Sequence, residues 1–135
     1  DVPGVLIAWL WIWAPMAVQM AAIFVASSLT EVPGLPGGLS NYTGHFLGYA
    51  LLGALTLRGL ARARWDRVSA GAATWAVAVS SAYGVTDEFH QWFVPGRQAS
   101  VADWVADTLG ALTGVLLTVL AARVVRARRS RGRDV

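Results

Sequence analysis

Apolar residues fall into four long runs along this chain, separated by short polar breaks. The first, Val5 to Leu29, is interrupted in its interior only by Pro15 and Gln19. It exceeds the ~20 residues that carry a helix across a bilayer. Pro15 removes a backbone donor and is expected to kink that helix. The run is too long for a signal-peptide core and lacks a positive segment before it, so it reads as a retained helix. Glu31 to Ser40 holds two prolines and three glycines and reads as a turn-rich loop. Asn41 to Leu60 is the second run, with Gly44 and Gly48 spaced for close helix contact. Val68 to Val85 is the third, and nothing breaks its helix before about Trp92. Pro95-Gly96 then marks a turn. Ser100 is the expected N-cap of the fourth run, Val101 to Val125, with Asp103 three residues on, close to a capping box. The predicted fold class is therefore all-α. It is a polytopic membrane protein, a bundle of four transmembrane helices at about 5–29, 43–60, 68–90 and 101–125. Residues 1–135 form a single domain, and 123–135 form a basic tail.

Composition agrees with a membrane domain. Of 135 residues, 56% are hydrophobic and 14% charged, little charge for a soluble domain of this size. There is no cysteine, which excludes disulfides, a thiol nucleophile and thiolate metal sites. All eleven basic residues are arginine, and the net charge is +3. The arginines flank apolar runs, which points to a membrane surface and not to nucleic acid. Ten of the eleven lie in the connector after the second run (Arg58, Arg62, Arg64, Arg67) or in the tail (Arg123 to Arg133). By the positive-inside rule both places are cytoplasmic. Both termini are then expected inside, with the loops at 31–40 and 87–99 outside.

Candidate chemistry concentrates in Tyr83 to Gly114, which holds four of the eight acids, His90 and the isolated Arg97. The predicted topology brings the start of the second helix, the end of the third and the start of the fourth to one face. Helical spacing then aligns three stripes: His45, Tyr49 and Gly53; Ser81, Gly84, Glu88 and Gln91; Asp103, Asp107, Gly110 or Ala111, and Gly114. A charged side chain deep in a bilayer costs about 2.5–3.5 kcal/mol, so the acids are expected to be paired, partly protonated or near the interface. Arg97 is the cation nearest in sequence, and its planar fork suits a carboxylate or a phosphate. His90, two residues after Glu88, points elsewhere on a helix and reads as interfacial or structural. Asp87 is expected to face water.

The string Glu88, Gln91, Phe93, Pro95, Gly96, Arg97, Ser100, Asp103, Asp107, Gly110 and Gly114 resembles the VanZ-like family of small integral membrane proteins. His45, Phe46, Tyr49 and Gly53 match an upstream element of the same family. The resemblance covers about residues 41–120. Two positions depart from it: the family often carries Asp-Lys where this chain has Asn41 and Tyr42, and often Asn where this chain has Asp107. The resemblance implies a cell-envelope role linked to resistance to the glycopeptide antibiotic teicoplanin. The implied location is the cytoplasmic (inner) membrane of a bacterium, with the polar site on the extracytoplasmic side.

His45, Glu88 and Asp103 are the candidate catalytic acid and base groups. Arg97, Gln91, Tyr49, Asp107 and Ser100 are the candidate substrate-binding groups. No metal ligand is assigned, since the ligand types of His45, Glu88 and Asp103 come without diagnostic spacing, and no cofactor is indicated. The bilayer is the expected partner, with a lipid-linked or peptidoglycan precursor as the implied substrate. Two functional readings follow: acid/base chemistry on such a substrate, or non-catalytic capture of a precursor, a drug or a partner. Interhelical glue is the purely structural alternative.

Overall fold

The computed structural model describes residues 2–30 and 41–132. The predicted loop at Glu31 to Ser40 and the last residues of the tail lie outside the described residues. Among the described residues there are four α-helices: α1 (Val2–Ser27), α2 (Asn41–Leu60), α3 (Ala70–Gln91) and α4 (Val101–Arg131). A short 3-10 turn at Trp65–Arg67 joins α2 to α3. There the Arg64 guanidinium, hydrogen-bonded to Asp66, holds that carboxyl below its usual range. Ser69 caps α3, its hydroxyl accepting from the Ala72 amide. The helix α4 runs on to Arg131, beyond the expected end at 125, because nothing in Arg123 to Arg131 breaks a helix and arginine is a good helix former.

The helices alternate in direction. At one end, Glu88 near the end of α3 meets Ser100 before α4, Asn41 of α2 meets Asp103 of α4, and Ser28 after α1 meets His90 of α3. At the other end, Arg126 of α4 donates to the Val68 carbonyl before α3, and Arg58 of α2 reaches α1. Acids therefore collect at one end and arginines at the other.

The helices α2 and α4 run parallel and make the closest pair. A Cβ on Gly53 would lie 2.5 Å from the Ala111 carbonyl oxygen. One on Gly110 would fall on the Phe46 carbonyl, and one on Gly114 on that of Ala50. Backbone rests on backbone, which only residues without a side chain permit. Gly48, expected with Gly44 to make close contacts, does not form this seam; a Cβ there would find its nearest neighbour, Ile23 of α1, at 3.9 Å. The tight glycines lie one and more turns further along, where α4 crosses.

The interior is small, with an apolar cluster of Leu57, Ala61, Val68, Ala76, Val115 and Ala122 and many buried polar groups besides, and the exterior is large and apolar. Thr56, Ser80, Gln91 and Asp107 are buried, while Leu6, Trp11, Trp75, Phe89, Leu116 and Leu117 are exposed. So much exposed apolar surface suits hydrocarbon rather than water. Two helices among the described residues, α1 and α4, are long and apolar enough to cross a membrane. The other two expected spans do not pass that test of composition. Their polar residues lower the average while turning inward, and their outward faces (Leu47 and Leu51; Trp75, Val79, Val85 and Phe89) stay apolar.

The helix α1 continues through Pro15. Proline brings no N–H to the carbonyl four residues back, at Trp11. Arg58 Nη1 donates to that oxygen at 2.9 Å and to the Ile12 oxygen at 3.0 Å. Its guanidinium also lies over the Trp11 ring, 5.5 Å from the centroid. Arg58 is thus a staple between α2 and α1 and not part of the connector. Trp13 fills the space left by Gly59, where a Cβ would come within 2.6 Å of the ring.

This packing is tested at the seam and at the Arg58 staple. Gly114→Leu should lower stability in detergent by several kcal/mol, beyond the ~1–3 kcal/mol of ordinary overpacking, because it drives backbones apart. Gly71→Ala, facing open space, should be neutral by the same thermal scan. Arg58→Leu should cost about 1–2 kcal/mol by stranding carbonyls. Most of that loss should disappear in a Pro15→Ala background, where an N–H returns to Trp11, as measured in a double-mutant cycle.

Candidate functional site

The α2–α4 seam aligns the side chains next to it. His45 lies just before Phe46, whose carbonyl abuts Gly110, and Asp107 lies one turn before Gly110. His45 Nδ1 and Asp107 Oδ1 are 2.9 Å apart. With Asp107 ionised, its carboxylate only accepts and Nδ1–H is the donor. That bond orients the ring and turns Nε2 toward Asp103 Oδ2, 3.9 Å away. Gly84 on α3 makes room for Asp107: a Cβ there would lie 3.0 Å from Asp107 Oδ2. Asn41 Nδ2 donates to Asp103 Oδ2 at 3.2 Å. An amide thus faces Asp103 at a position where the family resemblance expects an acid.

Glu88 joins the cluster from α3. Its Oε2 accepts the Ser100 amide N–H at 2.6 Å. The Ser100 hydroxyl accepts from the Asp103 amide at 3.4 Å, as an N-cap does. The expected capping box is therefore completed by Glu88 across the loop and not by Asp103. Ser100 is occupied in joining α3 to α4, and the carboxyl of Asp103 stays with Asn41 and His45.

Beside this cluster lies a cavity of about 270 Å³. His45, Tyr49, Gln91, Arg97 and Asp87 line it, with Asn41 at the start of α2. The helix α1 supplies an opposite wall of Gln19, Ala22, Ile23, Ala26 and Ser27. Glu88, Asp103 and Asp107 are not on the lining, so His45 stands between them and the cavity. Among the described residues Arg97 forms no ion pair with a carboxylate, and its Nε is buried without a partner.

Six buried side-chain polar atoms among the described residues lack a hydrogen-bond partner: Tyr49 Oη, Asp87 Oδ1, Glu88 Oε1, Arg97 Nε, Asp103 Oδ1 and Asp107 Oδ2. All six are at this one end of the bundle. Glue between helices would be paired; unpaired polar atoms in one place leave bonding capacity for something else.

One residue differs from expectation. Asp87 is buried, 4% exposed, and does not face water. Gln91, one turn later, donates to its Oδ2 at 3.2 Å, and both turn toward the cavity and α1. His90 points away from the cluster, as its spacing from Glu88 requires. It bonds Ser28 at 3.0 Å and packs on Phe24 with ring centroids 4.4 Å apart, pinning α3 to α1. The contribution of α1 to the cavity escaped the reading of the chain. Its signal was Gln19, a lone amide within a long apolar run. Gln19 Nε2 donates to the Gly48 carbonyl at 3.0 Å, and Tyr83 returns a bond from α3 to the Met20 carbonyl at 2.7 Å.

No curated protein and no solved structure matches the chain. A family model does, and its match begins in α1, earlier than the 41–120 segment carried by the motif residues. That model, described as VanZ/LLP1, covers residues 4–122, and the chain belongs to this family of proteins.

Proposed function

We propose that this membrane-associated protein crosses the bilayer four times, with both termini cytoplasmic and the acidic end at the extracytoplasmic face. It exchanges protons there with a polar, anionic group of a lipid-linked or peptidoglycan-related substrate. The observation that carries the reading is the His45–Asp107 bond beside a cavity edged by Arg97. An imidazole oriented by a carboxylate through one nitrogen is equipped to give or take a proton through the other. Asp103 and Glu88 supply carboxyl groups for the same traffic. Arg97 is the anion holder, and the apolar residues of α1 suit a lipid chain. The link to teicoplanin resistance comes from the family resemblance and supports a substrate of the cell envelope.

Capture without turnover is the second reading, favoured by the unpartnered Arg97 Nε and the largely apolar wall facing it. The two readings separate in one assay. Purified protein in nanodiscs is incubated with envelope lipids and lipid-linked precursors, and products are followed by mass spectrometry. Acid/base action expects turnover that falls about 10²-fold or more in His45→Ala and clearly in Asp107→Asn, while Arg97→Ala acts mainly on KM. Capture expects saturable binding that Arg97→Ala abolishes, with no product from the wild type.

The sidedness has its own test, made clean by the absence of cysteine. Single cysteines at Gln98 and Ser130, both exposed, are treated in intact cells with an impermeant maleimide. Labelling is expected at position 98 and not at 130. The reverse pattern would invert the orientation.

A further inference from the structure

Four carboxyl groups are buried at the polar end: Asp87, Glu88, Asp103 and Asp107, each less than a tenth exposed. Facing them among the described residues are one guanidinium, Arg97, and one imidazole, His45; the other imidazole at this end, His90, turns away to Ser28 and Phe24. A site of low dielectric does not hold so many acids against so little positive charge without a further cation or protons. Hydrogen bonds cover one oxygen of each acid, from Gln91, Ser100, Asn41 and His45 in turn. The second oxygen of every one of the four has no partner. Tyr49, 1% exposed, adds a hydroxyl that also lacks one, within electrostatic reach of Asp87, Asp107 and Glu88.

Three of these residues, from three helices, form a ligand set. A ring nitrogen of His45, an oxygen of Glu88 and an oxygen of Asp107 lie within 4.8 Å of one another. His45 Nδ1 and Asp107 Oδ1, 2.9 Å apart, share a proton that an ion would displace, leaving the ring N–H on Nε2, which faces Asp103. Two atoms each about 2.1 Å from a shared tetrahedral ion are about 3.4 Å apart, so the widest pair has to close by up to about 1.4 Å. Glu88, whose Oε1 has no partner, is the side chain that would turn to close it. Asp107 is also a position where this chain departs from the family resemblance, with an anionic ligand in place of a neutral amide.

We propose that His45, Glu88 and Asp107 bind one divalent transition-metal cation, Zn²⁺ or Mn²⁺. Imidazole with two carboxylates suits such ions better than Ca²⁺ or Mg²⁺, which favour all-oxygen sites. Two positive charges balance the two carboxylate ligands. Asp103 stands behind the set, its Oδ2 3.9 Å from His45 Nε2, as a carboxylate behind a ligating imidazole does. The inference uses the cluster of the reading above but does not depend on turnover.

The test uses the full chain in nanodiscs, stripped with chelator and then titrated with Zn²⁺ and, separately, Mn²⁺ by calorimetry. One equivalent of at least one ion is expected. Affinity should fall about tenfold or more in Asp107→Asn and in Glu88→Gln, and stay unchanged in Asp66→Asn at the arginine end. X-ray absorption at the metal edge should show nitrogen and oxygen ligation with one imidazole, a readout that needs no variant. A wild type that takes up neither ion overturns the inference, as does binding unaltered in both variants or ligation without imidazole. Turnover by a stripped protein that binds no ion would refute the metal and keep the acid/base reading. One bound equivalent in a protein that turns over no envelope lipid would do the opposite.

Discussion

The approach of α2 to α4 governs everything at the polar end. Gly53, Gly110 and Gly114 let two parallel helices meet with carbonyl oxygens where side chains would otherwise stand. His45 and Asp107 are within hydrogen-bond distance because the backbones beside them, at Phe46 and Gly110, already touch. Longer side chains on the seam would separate the imidazole from the carboxylate and leave two costly buried groups unpaired. Close packing and site geometry are thus one constraint. Gly84 extends it to α3, since it leaves the volume that the Asp107 carboxylate occupies.

The helix α1 is attached in a different manner. Its sole buried residue is Ser27, so it contributes little to an apolar core. Polar bonds hold it instead: Gln19 to Gly48, Tyr83 to Met20, Ser28 to His90, and Arg58 to Trp11 and Ile12. Most of these use a backbone carbonyl as acceptor. Where apolar burial gives no advantage, such bonds and close packing are what remain to join helices. Pro15 fits this logic, for by withholding one N–H it creates an acceptor that an arginine on α2 then fills.

Much of the architecture could be read from spacing. Glu88 and Gln91, or Asp103 and Asp107, can share a face only on helices, and the breaks at Pro95-Gly96 and Ser100 fixed where those helices meet. The face of Asp87 was legible but misread: it stands three residues after Gly84 and four before Gln91, on the stripe of α3 that Ala76 and Ser80 begin. Its charge pointed to water while its spacing pointed inward. The wall formed by α1 was hidden, since a run apolar on every side marks no inward face, and only Gln19 broke it. The tight glycines 53, 110 and 114 were legible as members of the inward stripes, whereas the neighbour of Gly44 and Gly48 was not, since only the partner helix selects it.

The extension of α4 to Arg131 has a geometric meaning. A helix of 31 residues is about 46 Å long, whereas a hydrocarbon layer is about 30 Å thick. Asp103 and Arg123 are separated by roughly 30 Å along this axis, so one continuous rod works as a depth gauge. In a chain inserted lengthwise, phosphates of the far leaflet gripping the arginines from 123 onward would hold the carboxylates at the near boundary, neither sunk in oil nor lifted into water.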